Sequence, residues 1–196
     1  MFASIQPIVL VGGKSLRFGR DKLREPLVPG ESAWLVDRPI GVLRALFGPR
    51  VALVGQCDPE IAARGDLILR DAYPNTGPAG GILSALEQSE GDVFVLAGDL
   101  PRITADAIQA IMDAAHAPTT TEAWVVLADA NGVEPCIGLY RQAIRSLLAE
   151  RIRSGRRSLH DLAPVDRLQL VPIDVAAALN VNTPGALPDF GGEESR

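Results

Sequence analysis

The chain has 196 residues, of which 47% are hydrophobic and 22% are charged, and its formal net charge is −5. This composition is that of an ordinary globular protein, and the length predicts one well-buried domain and excludes a largely disordered chain. The negative charge argues against nucleic acid as the main partner, because a phosphate backbone attracts a broad basic surface. No run of about 20 apolar residues is present, so we expect no membrane association.

Alternating apolar segments predict a single three-layer α/β/α domain of the Rossmann-like type, built around a mostly parallel sheet. The domain is predicted to span residues 1–189 and to be followed by a polar tail, 190–196. We predict strands at residues 8–11, 51–54, 66–69, 92–97, 124–127, 134–140 and 168–173, and helices at 37–47, 59–63, 82–88, 104–115 and 143–152. Asp37 and Thr104 are expected to cap two of these helices, and residues 73–81, rich in turn formers, are expected to form a loop.

A glycine pair follows the first strand and predicts a site for an anion. Gly12 and Gly13 allow a sharp turn and bring backbone N–H groups close to a ligand. Four cationic residues follow within ten positions: Lys14, Arg17, Arg20 and Lys22. The alternative interpretation is a simple turn, with Lys22 in an exposed ion pair with the preceding Asp21.

Two carboxylates follow predicted strands in the same way. Asp71 comes after the third strand and Asp99 after the fourth. Ligands of parallel sheets bind beyond the carboxyl ends of the strands, so the glycine loop and both carboxylates should lie together. Glycines, cations and carboxylates are the groups that bind a nucleoside triphosphate with a divalent metal. The structural alternatives are a helix cap for Asp99 and a turn for Asp71.

Several other kinds of site are disfavoured. A Walker A loop requires a glycine five residues before Gly13, where the chain has Ile8, and the G-x-G-x-x-G dinucleotide fingerprint is missing. His116 and His160 stand in no arrangement typical of a nucleophile elbow. Cys57 and Cys136 are too few and too separated for a metal cluster, and they fit a reducing cytoplasm.

The opening loop closely resembles the signature of the molybdenum cofactor guanylyltransferases. That signature reads Leu-Ala-Gly-Gly, then Arg-Met-Gly, then Asp-Lys. The resemblance continues along the chain at Asp71, residues 77–81, 98–101, 134–135, 139–140 and 155–157, and at the closing Asn-Val-Asn-Thr-Pro of residues 180–184. Val11 stands where the family usually has alanine, and it is expected to add bulk beside the base pocket.

The resemblance implies transfer of GMP from GTP to the terminal phosphate of molybdopterin carrying molybdenum, with release of pyrophosphate. It places Leu10, Val11, Gly12, Gly13, Lys22, Asp71 and Asp99 at the nucleotide. Asp99 would bind Mg²⁺, and Asn180, Asn182, Arg156 and Arg157 would receive the acceptor. Gly12 favours guanine, since the related cytidylyltransferases have alanine there. Transient contact with molybdoenzymes or other cofactor-assembly proteins is also expected.

The predicted chemistry needs no strong general base. A phosphate monoester has its second pKa near 6, so the acceptor is largely dianionic at neutral pH. Arg17 and Lys22 would offset the charge that develops on the leaving pyrophosphate, and the glycine amides would fix its orientation. The alternatives are a cytidylyltransferase, a nucleotidyltransferase acting on another phosphorylated acceptor, and a non-catalytic nucleotide-binding accessory protein.

Overall fold

The computed structural model describes residues 4–12, 21–27, 30, 32–118 and 122–181. Within these residues seven strands form one sheet: β1 Gln6–Leu10, β2 Ala52–Val54, β3 Leu67–Leu69, β4 Val93–Ala97, β5 Val125–Asp129, β6 Val133–Tyr140 and β7 Leu168–Pro172. The helices over the same residues are α1 Asp37–Phe47, α2 Pro59–Ala62, α3 Pro78–Gln88, α4 Ala105–His116 and α5 Arg145–Arg153. Short 3₁₀ turns lie at Lys22–Arg24, Gln142–Ile144, Val165–Arg167 and Val175–Ala178. The predicted tail, 190–196, lies outside the described residues.

The strand order in the sheet is β3-β2-β1-β4-β6-β5-β7. Strand β6 runs antiparallel to β4 and β5, while all other neighbouring pairs are parallel. Chain order reverses between β1 and β4, and such a switch point is where open α/β sheets bind ligands. The prediction of a mostly parallel α/β domain is confirmed.

Helices cover both faces of the sheet, which explains why its central strands are apolar throughout. One core cluster joins Phe94 and Leu96 of β4 to apolar residues of α1 and α4. The other joins Val95 of β4 and Tyr140 of β6 to apolar residues of α3 and α5. Residues 93–96 of β4 are each 0% exposed, as expected for a parallel strand covered on both sides. None of the described helices has the length and apolarity needed to cross a membrane.

Helix α3 begins four residues earlier than its predicted start, so the prediction of a loop over residues 73–81 is wrong at its end. Gly77 is the N-cap and Pro78 opens the helix, the position where proline is favoured. Glycine lowers helix propensity, and the sequence therefore indicates a loop. A Cβ on Gly81 would lie 2.9 Å from Leu10 Cδ2, so the missing side chain lets the helix pack against β1.

The two predicted caps have different outcomes. Thr104 caps α4, because its Oγ1 accepts a hydrogen bond from Ala107 N at 3.2 Å, as predicted. Asp37 is wrong as a cap, since it is the first residue of α1 and its N-cap is Val36. The Asp37 carboxylate instead accepts hydrogen bonds from Trp34 N at 2.8 Å and Arg64 Nη1 at 2.7 Å. The Asp37 carboxylate therefore binds the side chain of Arg64, which is distant in the sequence, and does not cap the helix.

Candidate active site

Lys22 and Asp99 form the centre of the candidate site. Lys22 Nζ donates to Asp99 Oδ2 at 2.5 Å and to the Val181 carbonyl at 3.1 Å. The two side chains are 23% and 14% exposed, so the pair is largely shielded but open to a ligand. Asp21 is used differently: its Oδ1 accepts a hydrogen bond from Leu23 N at 3.1 Å and caps the turn that presents Lys22. The described contacts of Lys22 are therefore with Asp99 and the carboxyl-terminal segment.

Asp99 lies where three segments of the chain meet. Gly98 N donates to the Leu10 carbonyl at 3.0 Å, joining the ends of β4 and β1. Val181 N donates to the Asp99 carbonyl at 3.1 Å, which brings the segment containing Asn180 to the same place. The alternative of Asp99 as the cap of α4 is wrong, because Thr104 has that role.

The turn after β1 packs against the turn after β2 through two glycines. A Cβ on Gly55 would lie 2.4 Å from Gly12 N and 2.6 Å from Gly12 Cα, distances that real side chains do not show. Val11 N donates to the Val54 carbonyl at 2.9 Å and its side chain is 3% exposed in the core. The Val11 side chain packs into the core, and its bulk beside a base pocket stays a prediction.

Asp71 lies at the same edge, after β3, and its carboxylate is used locally. Its Oδ1 accepts a hydrogen bond from Tyr73 N at 3.0 Å, and Ser84 Oγ lies 3.5 Å away. Ser84 Oγ in turn accepts a hydrogen bond from Ala72 N at 2.9 Å. These contacts are those of the structural alternative, a turn-forming aspartate, and they join the turn after β3 to Ser84 in the middle of α3.

The predicted acceptor residues lie on two segments. Arg156 and Arg157 are exposed in the loop after α5, where Arg157 Nη1 donates to the Asn75 carbonyl at 3.1 Å. Asn180 is exposed immediately before Val181. Gly13, Arg17 and Asn182 lie outside the described residues, as do Lys14 and Arg20.

Glu134 and Cys136 are at this edge too, although the sequence assigned them no role. Strand β6 runs antiparallel, so its amino end lies beside the carboxyl end of β4. Burial raises the pKa of the Cys136 thiol to about 12, with further contributions from the charges of Asp99 and Glu134. Burial also raises the pKa of Glu134, while the charge of His160 acts in the opposite direction. The Glu134-Pro135 motif in an otherwise apolar strand is the signal that could have indicated this position.

The donor set suits a hard cation that brings its own ligands. Across the described residues no group of three or more histidine, cysteine or acidic side chains could hold a metal ion by itself. Magnesium usually keeps several waters and is bound through one or two carboxylates and the phosphates of its substrate. Asp99, a partly exposed carboxylate at the switch point, fits that pattern.

These features define an α/β nucleotidyltransferase: a doubly wound sheet, a glycine turn after β1, and a lysine–aspartate pair at the edge where ligands bind. The model of the MobA-like NTP transferase domain matches residues 7–168, and the chain belongs to that family. The prediction of a resemblance to this family is confirmed.

Sequence relatives extend over nearly the whole chain. A protein of Mycobacterium tuberculosis H37Rv named "Probable molybdenum cofactor guanylyltransferase" is 32% identical over 187 residues, covering 92% of this chain and 90% of the relative. A protein of the same name from Mycobacterium avium is 34% identical over 183 residues, covering 90% and 89%.

Solved structures share the fold. The molybdopterin-guanine dinucleotide biosynthesis protein A of Archaeoglobus fulgidus has a TM-score of 0.70 at 22% identity, covering 94% of this chain and 95% of that one. A protein of Aquifex aeolicus VF5 has a TM-score of 0.73, also at 22% identity, with 92% and 94% covered.

Proposed function

We propose that this protein transfers GMP from GTP to the terminal phosphate of molybdenum-loaded molybdopterin and releases pyrophosphate. The observation that carries the proposal is the contact of Lys22 with Asp99 at the switch point of the sheet, beside the glycine turn. The names of the mycobacterial relatives support guanine as the base and the molybdenum cofactor as the product. The unpaired thiols of Cys57 and Cys136 fit a reducing compartment, so we assign the reaction to the cytoplasm.

In the proposed reaction an acceptor phosphate oxygen attacks the α-phosphorus of GTP. The bond from that phosphorus to the oxygen bridging it to the β-phosphate breaks, and pyrophosphate leaves with the bond's electron pair. Lys22, which contacts Asp99, would turn its ammonium to the phosphates, and Arg17 would add a second positive charge. The nucleotide would be held by backbone groups of Leu10, Val11, Gly12 and Gly13, and Asp71 would lie at the border of the nucleotide site.

Asp99 would hold Mg²⁺ in this proposal. When bound, such an ion would supply positive charge that offsets the negative charge developing on the phosphates during transfer. The acceptor would lie against Arg156 and Arg157 on one side and Asn180 and Asn182 on the other. The two arginines are exposed, which leaves their guanidinium groups available for a phosphate.

The proposal is tested by incubating purified protein with molybdenum-loaded molybdopterin, Mg²⁺ and each of the four nucleoside triphosphates in turn. We expect pyrophosphate release and dinucleotide product with GTP only. Turnover with CTP but not GTP would overturn the guanine assignment. If GTP releases pyrophosphate only when a sugar phosphate or phospholactate replaces the pterin, the acceptor is a different phosphorylated compound.

Thermal unfolding separates binding from turnover. A ligand that binds only the folded state raises the melting temperature by mass action. We expect GTP with Mg²⁺ to raise it more than CTP with Mg²⁺. Tight GTP binding without pyrophosphate release on any pterin acceptor would indicate a non-catalytic accessory protein instead.

A further inference from the structure

A buried arginine on α5 organises the loop that follows this helix. Arg151 is 6% exposed, and its guanidinium reaches forward to three oxygens of the loop. Nη1 donates to the Asp161 carbonyl at 3.1 Å, and Nη2 donates to the Ser158 carbonyl at 3.2 Å and to Asp161 Oδ1 at 2.7 Å. A planar fork with several donors can satisfy all three acceptors at once, which a single ammonium group cannot do with the same geometry.

Other contacts also fix the loop, among them the hydrogen bond from Arg156 Nε to Ser154 Oγ at 3.2 Å. Arg156 N donates to the Arg151 carbonyl at 2.8 Å, and Leu159 and Leu162, which are 5% and 4% exposed, pack into the core on the α3 and α5 side. Arg156, Arg157 and His160 are all exposed. The loop therefore has a buried inner side, organised by Arg151, and a cationic outer side.

The outer side extends along the edge of the sheet where ligands bind. Arg157 Nη1 reaches the Asn75 carbonyl, in the turn that follows Asp71. His160 is close enough to Glu134, at the start of β6, for its charge to act on that carboxyl group. The loop thus contacts the turn before α3 and lies near the start of β6.

Packing alone does not explain the arginine. Arg151 Nε is buried and has no hydrogen-bond partner among the described residues. A buried donor without a partner costs free energy, and this cost is offset by the hydrogen bonds that the guanidinium donates to the Ser158 and Asp161 carbonyls. The hydrogen bonds of Arg151 hold the loop in one conformation.

We infer that Arg151 is a positioning residue for the acceptor: through the Ser158 and Asp161 oxygens it holds Arg156, Arg157 and His160 toward the acceptor's phosphate. This inference rests on the proposed function and adds to it a residue that itself touches neither substrate. Loss of Arg151 weakens acceptor binding while leaving the nucleotide side, built on β1 and Lys22, intact.

The experiment compares Arg151→Gln with Arg141→Gln. Arg141 is a matched control, because it also donates to two carbonyls, of Ala115 and Ala123, and pairs with a carboxylate, Asp92, but at the opposite edge of the sheet. For Arg151→Gln we expect the KM for the pterin acceptor to rise about tenfold, with the KM for GTP within twofold of wild type. Arg141→Gln should lower the melting temperature without changing either KM selectively.

Two further variants keep the inference falsifiable if Arg151→Gln does not fold. Asp161→Asn removes the charge from one of the three contacts, the one to Oδ1, at an aspartate whose side chain is 70% exposed, so the fold should tolerate it, and we expect about a threefold rise in acceptor KM. Arg151→Lys should recover part of the loss. Hydrogen exchange of residues 155–162 should accelerate in Arg151→Gln and Asp161→Asn and not in Arg141→Gln.

The inference is overturned if wild-type protein transfers GMP but Arg151→Gln or Asp161→Asn keeps the wild-type acceptor KM. It is also overturned if the KM for GTP rises equally, or if Arg141→Gln produces the same acceptor effect. A wild-type protein that transfers GMP to no acceptor is a different result, because it overturns the proposed function itself.

Discussion

At the scale of single residues, the ammonium of Lys22 offsets the negative charge of Asp99, which by itself would repel a polyanion at this edge. The lysine comes from the turn after the glycine loop, and the aspartate from 77 positions further along the chain. Both side chains are only partly exposed, and the hydrogen bond between them holds each in one orientation. A triphosphate that displaces Asp99 from Lys22 frees both groups for the roles proposed above.

Replacing Asp99 by alanine should abolish turnover while nucleotide binding partly survives. A loss of at least about 100-fold in kcat is expected, because electrostatic groups aimed at the reacting phosphates contribute on that scale. Steady-state kinetics with nucleotide titration measures both effects. Asp92→Asn, at the opposite end of the same strand, is the control and should leave kcat unchanged. An Asp99→Ala variant with wild-type kcat would remove this residue from the proposed machinery.

Cys136 should be chemically inert in the folded protein although it lies near the site. Burial and the nearby carboxylates raise the pKa of its thiol to about 12, and only the thiolate reacts with alkylating agents. At about pH 8, iodoacetamide should label Cys136 far more slowly in native protein than in urea, as followed by peptide mass spectrometry. Cys57, whose thiol is less deeply buried and whose pKa is raised in the same direction, is the internal comparison. Equal native labelling rates for the two cysteines would contradict the assigned environment.

At the scale of elements, the turn after β2 approaches the backbone of Gly12, after β1, more closely than a side chain would allow. Gly55 has φ of +119°, and its Cα faces the Gly12 backbone with no room for a side chain. Glycine near the end of β2 is therefore required for the geometry after β1. Gly12, the first of the two glycines that predict an anion site, thus has a partner after the neighbouring strand.

Gly55→Ala should destabilise the protein by about 2–4 kcal/mol, because it combines a strained backbone conformation with a steric clash. Gly48→Ala is the matched control: Gly48 also has a positive φ, +83°, but a Cβ there would meet nothing within 4 Å. That variant should cost less, about 1–3 kcal/mol, because it adds backbone strain and no clash. Urea denaturation measures both free energies of unfolding. Equal losses would mean that backbone strain alone, and not contact with Gly12, explains the effect.

Helix α3 shows why element boundaries escaped the sequence. Gly80 and Gly81 weaken any helix judged by propensity, yet both lie within α3 and are buried. Their value is tertiary, since a Cβ on Gly81 would meet Leu10 of β1, and a Cβ on Gly80 would meet Thr76 and the Tyr73 carbonyl. Sequence reasoning placed the helix correctly where its residues are apolar and missed its start, where packing and not propensity decides.

At the scale of the whole molecule, Asp66 connects three elements near the edge of the sheet. Its carboxylate accepts hydrogen bonds from Arg44 Nε at 3.1 Å, Arg44 Nη2 at 2.9 Å and Val51 N at 2.9 Å. These bonds link α1 to the segments that enter β2 and β3. Hydrogen bonding to Arg44, the largest contribution, lowers the pKa of Asp66 below its ordinary value of 3.8.

A lowered pKa in the folded state predicts a specific pH dependence. The stabilisation by Asp66 is present above the ordinary value of 3.8 and is lost as pH falls through the lower, folded-state value. The difference in unfolding free energy between wild type and Asp66→Asn should therefore be constant near neutral pH and shrink below about pH 4. The effect should be small, since the ion pair with Arg44 is partly exposed. Urea denaturation across pH measures it, and a difference that persists unchanged at lower pH would contradict the prediction.

The sequence by itself determined the fold class and the chemical character of the ligand edge. Apolar runs separated by turn formers can be read locally, and so can glycines and carboxylates placed directly after strands. The tertiary structure decided the antiparallel direction of β6, which brings Glu134 and Cys136 to Asp99, and the contacts of Lys22, Gly55 and Arg151. Each depends on atoms far apart in the chain. Local propensity carries no information about which distant residue will form an ion pair, pack against a glycine or donate hydrogen bonds to a loop.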